Sequence, residues 1–186
     1  MVNPTNQSVE DGHGQHDSAR QERPREIITP GPGQESVWDY PLPPRVESVS
    51  QRVRVEFGGI VLADTVRAYR LLQTGTPPVY YFPPADVQMA HLLPSARTTT
   101  CEWKGVAEYW SVQVRETVAE NAAWSYPEPD EGYEVICGYL AFYARKMDAC
   151  YVGPYQVTPQ PGEFYGGWIT PDIVGPFKGE PGTENW

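Results

Sequence analysis

Proline and glycine limit this chain before any motif is considered. With 20 prolines and 17 glycines among 186 residues, long helices are broken before they can lengthen. Proline lacks the N–H that an inner helical turn needs, and glycine loses the most backbone freedom on ordering. The expected architecture is therefore mainly β, a compact antiparallel sheet or barrel-like domain of short strands and tight turns, with helix as the minor component. The length suits one domain with a real core plus tails.

Alternation of polar and apolar residues locates the strands. Arg52-Val53-Arg54-Val55-Glu56-Phe57, then Gly58-Gly59, then Ile60-Val61-Leu62-Ala63-Asp64 is a β-hairpin pattern. The glycine pair reads as its turn and not as a phosphate cradle, since neither G-x-G-x-x-G nor a following Lys-Ser/Thr is present. Thr65 to Gln73 fits a short helix or a strand, with the strand the expectation, and Pro78 to Pro83 reads as a short aromatic strand fenced by prolines. Pro84 to Leu93 has apolar residues at helical spacing, starts with a proline and stops before Pro94. It is the expected short flanking helix, with His91 on its surface. Ala107 to Val114 and Val118 to Tyr126 read as an antiparallel pair. After an acidic loop at Pro127 to Glu131, a helical turn over Tyr133 to Ile136 closes at Cys137-Gly138. Tyr139 to Tyr143 and Met147 to Tyr151 read as a further hairpin around Ala144-Arg145-Lys146.

The ends differ from the middle. Residues 1–35 are polar with hardly an apolar cluster and are expected as a disordered tail, its His13 and His16 solvated. Residues 36–158 form the expected single β-rich domain, which opens as an extended arm that docks through Trp38 and Tyr40. Residues 159–186 are a Gly, Pro and aromatic arm without periodicity. That arm carries too much apolar area to stay free in water, so it is expected to pack on its own body or on a second copy, as a homodimer.

Composition also excludes function classes. A net charge of −10 argues against a nucleic-acid partner, because phosphate binding depends on Lys and Arg neutralising the backbone. No run of about 18 apolar residues exists, so no membrane-spanning helix is expected. The N-terminus lacks the apolar core of a signal peptide, and a cytoplasmic location is expected. Cys101, Cys137 and Cys150 are odd in number and widely spaced, which fits neither a disulfide framework nor a paired-cysteine zinc site. His91 is the only histidine outside the tail, so no metal and no cofactor is expected.

One stretch concentrates chemistry: Arg97-Thr98-Thr99-Thr100-Cys101-Glu102-Trp103-Lys104-Gly105, leading into the strand that carries Tyr109-Trp110. With Asn121-Ala122-Ala123-Trp124-Ser125-Tyr126 and Ala141-Phe142-Tyr143 followed by Asp148, it resembles the bacterial and fungal family catalogued as domain of unknown function 427. The resemblance runs from Val49 to Asp148, with Pro78-Val79-Tyr80-Tyr81 matching an earlier family stretch. Family members commonly carry Cys-Pro before an aromatic and then Lys-Gly. Here Glu102 replaces the proline, which alters the loop and puts a carboxylate beside the cysteine. The resemblance implies a compact, mostly antiparallel β domain akin to the β-tent folds with one flanking helix, and it implies no activity. Another label of the family, nucleotidyltransferase-like, needs metal-binding carboxylates in tight pairs beside a Gly-Ser or Gly-Gly turn. Asp64 stands alone after Gly58-Gly59.

Lys104 sits one residue before a glycine, at the loop end of a half-buried strand. Held against Trp103, Tyr109 and Trp124, its amine can serve as nucleophile or base, or clamp an anion. Alternatively its stem covers an aromatic surface while the ammonium stays in water. Cys101 can act as a thiolate if Lys104 or Arg97 lowers its pKa, with Glu102 opposing. A cysteine hydrolase also needs a base, and His91 is the one histidine of the folded region. Tyr81, Tyr109, Trp124 and Tyr126 offer flat faces with polar tips, which suit a ring-bearing or sugar-like ligand or a cation, or else simply fill a core. The candidate ligand-binding residues are therefore Tyr81, Cys101, Lys104, Tyr109, Trp124 and Tyr126. The first expectation is binding of a small polar or ring-containing molecule in an aromatic pocket with Lys104. The alternatives are a metal-independent enzyme using Lys104 and Cys101, and an interaction module acting through the C-terminal arm.

Overall fold

The computed structural model describes Pro24 and residues 26–183; most of the expected tail, including His13 and His16, lies outside the described residues. A short strand, β1 (Glu35–Ser36), leads through a single 3-10 turn at Val37–Asp39 into β2 (Arg45–Ser48). The expected hairpin follows as β3 (Val53–Phe57) and β4 (Ile60–Thr65). Gly58 and Gly59 form its turn at φ 61° and 77°, a left-handed backbone that residues with a Cβ adopt only at a cost. Next come β5 (Tyr69–Gln73) and β6 (Thr76–Tyr81), then a meander of the longest strands, β7 (Leu92–Cys101), β8 (Gly105–Val114) and β9 (Thr117–Ser125). After these the strands shorten: β10 (Ala141–Phe142), β11 (Ala149–Val152), β12 (Tyr155–Gln156), β13 (Thr158–Pro159), β14 (Trp168–Ile169) and β15 (Ile173–Val174).

These strands assemble into sheets of order β10-β9-β8-β7, β12-β11-β3-β4 and β2-β5-β6, plus the pairs β13-β14 and β1-β15. All pair antiparallel except β1 with β15. The molecule is thus mainly β with several antiparallel sheets, and they do not close into a barrel. Strand periodicity explains the main core: Val53, Val55 and Phe57 alternate inward on β3, and they cluster with Leu62, Phe82, Val112, Val114, Phe142 and Trp168. On β8 the even-numbered Val112 and Val114 belong to this core, while the odd-numbered Ala107 and Tyr109 face a second, aromatic cluster on the other side of the sheet. One strand therefore serves the core at one end and a cavity wall at the other.

The expected flanking helix does not form. Residues 84–91 fold as two single 3-10 turns, Pro84–Asp86 and Met89–His91, and the chain is extended again by Leu92. Val87 between them is extended and bridges to Ala63, and the backbone N–H of Gln88 donates to the Leu62 carbonyl at 2.8 Å. Hydrogen bonds offered by β4 outweigh helical spacing in so short a segment. The expected hairpin over 139–151 is also replaced. Its halves separate around a 3-10 turn at Ala144–Lys146, β10 joining β9 and β11 joining β3 in a different sheet, so that Phe142 and Cys150 both enter the core.

Both terminal arms return to the body. Trp38 is buried, and its indole N–H donates to the Pro176 carbonyl at 2.7 Å; Tyr40 donates to Glu35 at 2.8 Å. Trp168 is fully buried between Tyr80 and Phe82, and its N–H reaches the Phe142 carbonyl at 3.0 Å. No helix among the described residues is long and apolar enough to cross a membrane.

Candidate functional site

The β7–β8 hairpin delivers the chemistry-bearing residues. Cys101 pairs with Gly105 across a turn of Glu102, Trp103 and Lys104. That turn folds Lys104 inward until it is only 5% exposed, while Glu102 stays in solvent. The Lys104 ammonium lies 3.1 Å from the Cys101 sulfur and 5.5 Å from the centre of the Tyr126 ring. The next loop closes over the back of the turn, the Asp130 N–H donating to the Lys104 carbonyl at 3.2 Å.

Neighbouring strands add the walls. Tyr109 on β8 stands directly opposite Trp124 on β9, and Trp124 opposite Ala141 on β10. The Trp124 and Tyr143 rings meet at 4.6 Å with a tilt of 45°. Tyr81 ends β6 beneath them and is 1% exposed. The C-terminal arm provides a roof of Gln160, Phe164, Tyr165 and Gly166. Together these groups line a half-open cavity of about 410 Å³. Every residue of the candidate set, Tyr81, Cys101, Lys104, Tyr109, Trp124 and Tyr126, lines it.

The roof is fitted closely to the wall. A Cβ added at Gly166 would lie 2.3 Å from Cη2 of Trp124. Gly166→Ala is therefore expected to lower stability by about 1–3 kcal/mol through overpacking and to lift the arm or displace the indole. Chemical denaturation beside wild type measures the first effect, and tryptophan fluorescence the second.

Electrostatics sets the state of the groups. Burial pushes the Cys101 thiol up, but the Lys104 charge and N–H donors from Trp103 and Lys104 outweigh it, so the thiol ionises below its ordinary value. Burial pushes the Tyr81, Tyr126 and Tyr143 phenols up, which keeps them neutral hydrogen-bonding groups. The Tyr109 hydroxyl lies 3.0 Å from the Thr99 hydroxyl. The indole N–H of Trp103, another lining residue, is buried with no hydrogen-bond partner.

Other groups weighed in the sequence lie elsewhere. His91 precedes β7 and bonds the Gln113 carbonyl through Nδ1 at 2.9 Å. Cys101 ends the same strand, and 10 residues at about 3.3 Å each set the two on the order of 30 Å apart. Asp64 is clamped by the Arg52 guanidinium, with Nε at 2.7 Å, so its carboxylate is already occupied. Among the described residues no His, Cys, Asp and Glu group is gathered to hold a metal. Sequence reasoning missed Tyr143, Gln160, Phe164 and Tyr165 as lining residues. Tyr143 was within reach, since it ends the Ala141-Phe142-Tyr143 motif; the arm residues had no periodic signal that could assign them a face.

Fold and site together define a mainly antiparallel β protein with a lysine-bearing aromatic cavity at one sheet end. Residues 45–153 match the family described as domain of unknown function (DUF427), and the chain belongs to that family. No curated protein matches it. The roof residues Gln160, Phe164, Tyr165 and Gly166 fall beyond the matched span, so part of the cavity is built by sequence that the family match does not cover.

Proposed function

We propose that this protein binds a small polar or ring-bearing molecule in the cavity, with Lys104 as its polar anchor. The observation that carries the reading is convergence: a buried ammonium and the rings of Tyr81, Tyr109, Trp124, Tyr126 and Tyr143 meet on one half-open cavity. Its volume falls in the roughly 300–1,000 Å³ range of small-molecule sites, and an apolar lining with a few placed polar groups is the usual composition of such sites. The test is a thermal-shift screen of nucleotides, sugars, amino acids and small carboxylates against wild type and Lys104→Ala. A native-state ligand raises the melting temperature by mass action. The reading expects a compound class that shifts wild type and leaves the variant unmoved; a screen that shifts neither protein contradicts it.

A second reading draws on a separate observation, the 3.1 Å approach of Lys104 to Cys101. A thiol held toward its anionic form at the wall of a cavity is a competent nucleophile, and Lys104 is placed to hold or return a proton at sulfur. Chromatography of small thioesters and activated esters incubated with wild type and Cys101→Ser tests it. Cysteine-dependent turnover supports an enzyme, and equal background hydrolysis in both overturns that reading.

A further inference from the structure

The cavity holds a buried cation that lacks a carboxylate partner. Lys104 is 5% exposed, yet no carboxylate of the described residues lies within ion-pair distance of it; the ion pairs present join other groups. Its contacts are the Cys101 sulfur and the face of Tyr126, which leaves ammonium protons without an oxygen acceptor. Trp103 lines the cavity as well, and its indole N–H is buried without a hydrogen-bond partner. Hydroxyls of Thr76, Thr99, Thr100 and the tyrosines share the lining, but the ammonium's one hydrogen bond among the described residues goes to the Cys101 sulfur. The Gln160 side-chain oxygen is taken by the Gly167 N–H at 3.0 Å, and its amide donates to the Lys178 carbonyl at 2.8 Å. The only acidic lining residue, Glu102, is exposed. The Asp130 carboxylate lies beside Gly105, and neither it nor Glu102 forms an ion pair with the buried cation.

An unpaired buried cation and an orphan N–H each carry a desolvation penalty that an incoming acceptor relieves. A thiolate at Cys101 offsets the charge in part and leaves the Trp103 donor unanswered. A buried ammonium with no oxygen partner suits a carboxylate, which answers one charge with one charge. The remaining walls are flat rings. We infer that the ligand of this cavity is a flat ring bearing one carboxylate, the carboxylate meeting Lys104 and the ring lying among Trp124, Tyr126 and Tyr143. This inference rests on the binding reading above and assigns its chemical class.

The test uses the full chain and matched probes: benzoate with benzamide, nicotinate with nicotinamide, indole-3-carboxylate with indole-3-carboxamide, and acetate as the ringless acid. Affinities are measured by titration calorimetry for wild type, Lys104→Met and Trp103→Phe, with each variant's melting temperature confirming that it folds. At least one acid is expected to bind wild type about tenfold tighter than its amide, the scale set by a charge-assisted over a neutral hydrogen bond. Lys104→Met removes that preference and Trp103→Phe reduces it, while acetate binds far more weakly than the ring acids. Equal binding of acids and amides overturns the carboxylate assignment and leaves the pocket reading standing. Acetate binding as tightly as the ring acids overturns the ring. If no probe binds while the broader screen yields a Lys104-dependent ligand, this inference fails alone; if both screens are empty, the two fail together.

Discussion

Trp168→Ala is expected to remove about 3–5 kcal/mol of folding stability, a large part of the roughly 5–15 kcal/mol that holds a domain of this kind folded. The indole is fully buried, with ring centres 5.2 Å from Tyr80 and 6.0 Å from Phe82. Truncation would open a cavity in the main core and leave the Phe142 carbonyl without its donor. Trp168→Phe keeps most of the volume and isolates the lost hydrogen bond, at about 1–3 kcal/mol. Urea denaturation separates the two. Because Trp168 also anchors the arm that carries Gly166, Phe164 and Gln160 over the cavity, ligand binding is expected to weaken in Trp168→Ala even under conditions where it stays folded. An alanine variant as stable as wild type would mean that the arm is an accessory and not part of the core.

The second large effect concerns the thiol. Cys101 is expected to alkylate with iodoacetamide along a pH profile whose midpoint lies below the ordinary cysteine value of about 8.5. Lys104→Met should raise that midpoint and slow the reaction at neutral pH several-fold, because the ammonium that favours the thiolate is gone. The buried Cys150, whose thiol burial pushes upward, stays unlabelled in the folded protein, and the exposed Cys137 serves as the internal reference. The linkage follows from the direction of the shift. A thiol that ionises more readily folded than unfolded adds stability that is complete above the unfolded value and is lost as pH falls through the folded one. At neutral pH and below, exchanging a buried ammonium for a thioether of similar length is expected to leave stability unchanged or raised. A Lys104→Met protein that melts no lower than wild type but no longer binds would mark the lysine as kept for function at the expense of stability.

The parts of the molecule that were legible in the sequence are those where a local rule and the tertiary structure agree. Arg52 to Asp64 reads as a hairpin because its alternation, its glycine turn and its burial against Val112 and Val114 all demand the same strand phase. That Tyr109 and Trp124 face one cavity was legible because they sit on adjoining antiparallel strands, where alternation fixes the face each presents. Misreading began where neighbours distant in sequence decide the conformation. The 84–93 segment has helical spacing, but Leu62 and Ala63 capture its backbone. The 139–151 segment has the length of a hairpin, yet each half finds a better partner in β9 or β3. The roof was invisible for a related reason. Gln160 to Gly167 has no period, and its place over Trp124 is set by Trp168, which docks in the core beyond it.

The most direct measurement is the alkylation rate of Cys101 with and without a saturating amount of the best stabilising compound from the screens, read by mass spectrometry against Cys137 in the same molecule. If a small molecule occupies the cavity beside Lys104, Cys101 is protected at least several-fold and Cys137 reacts at an unchanged rate. If Cys101 reacts equally fast with the compound bound, the ligand sits elsewhere and the account of this cavity as the functional site is wrong.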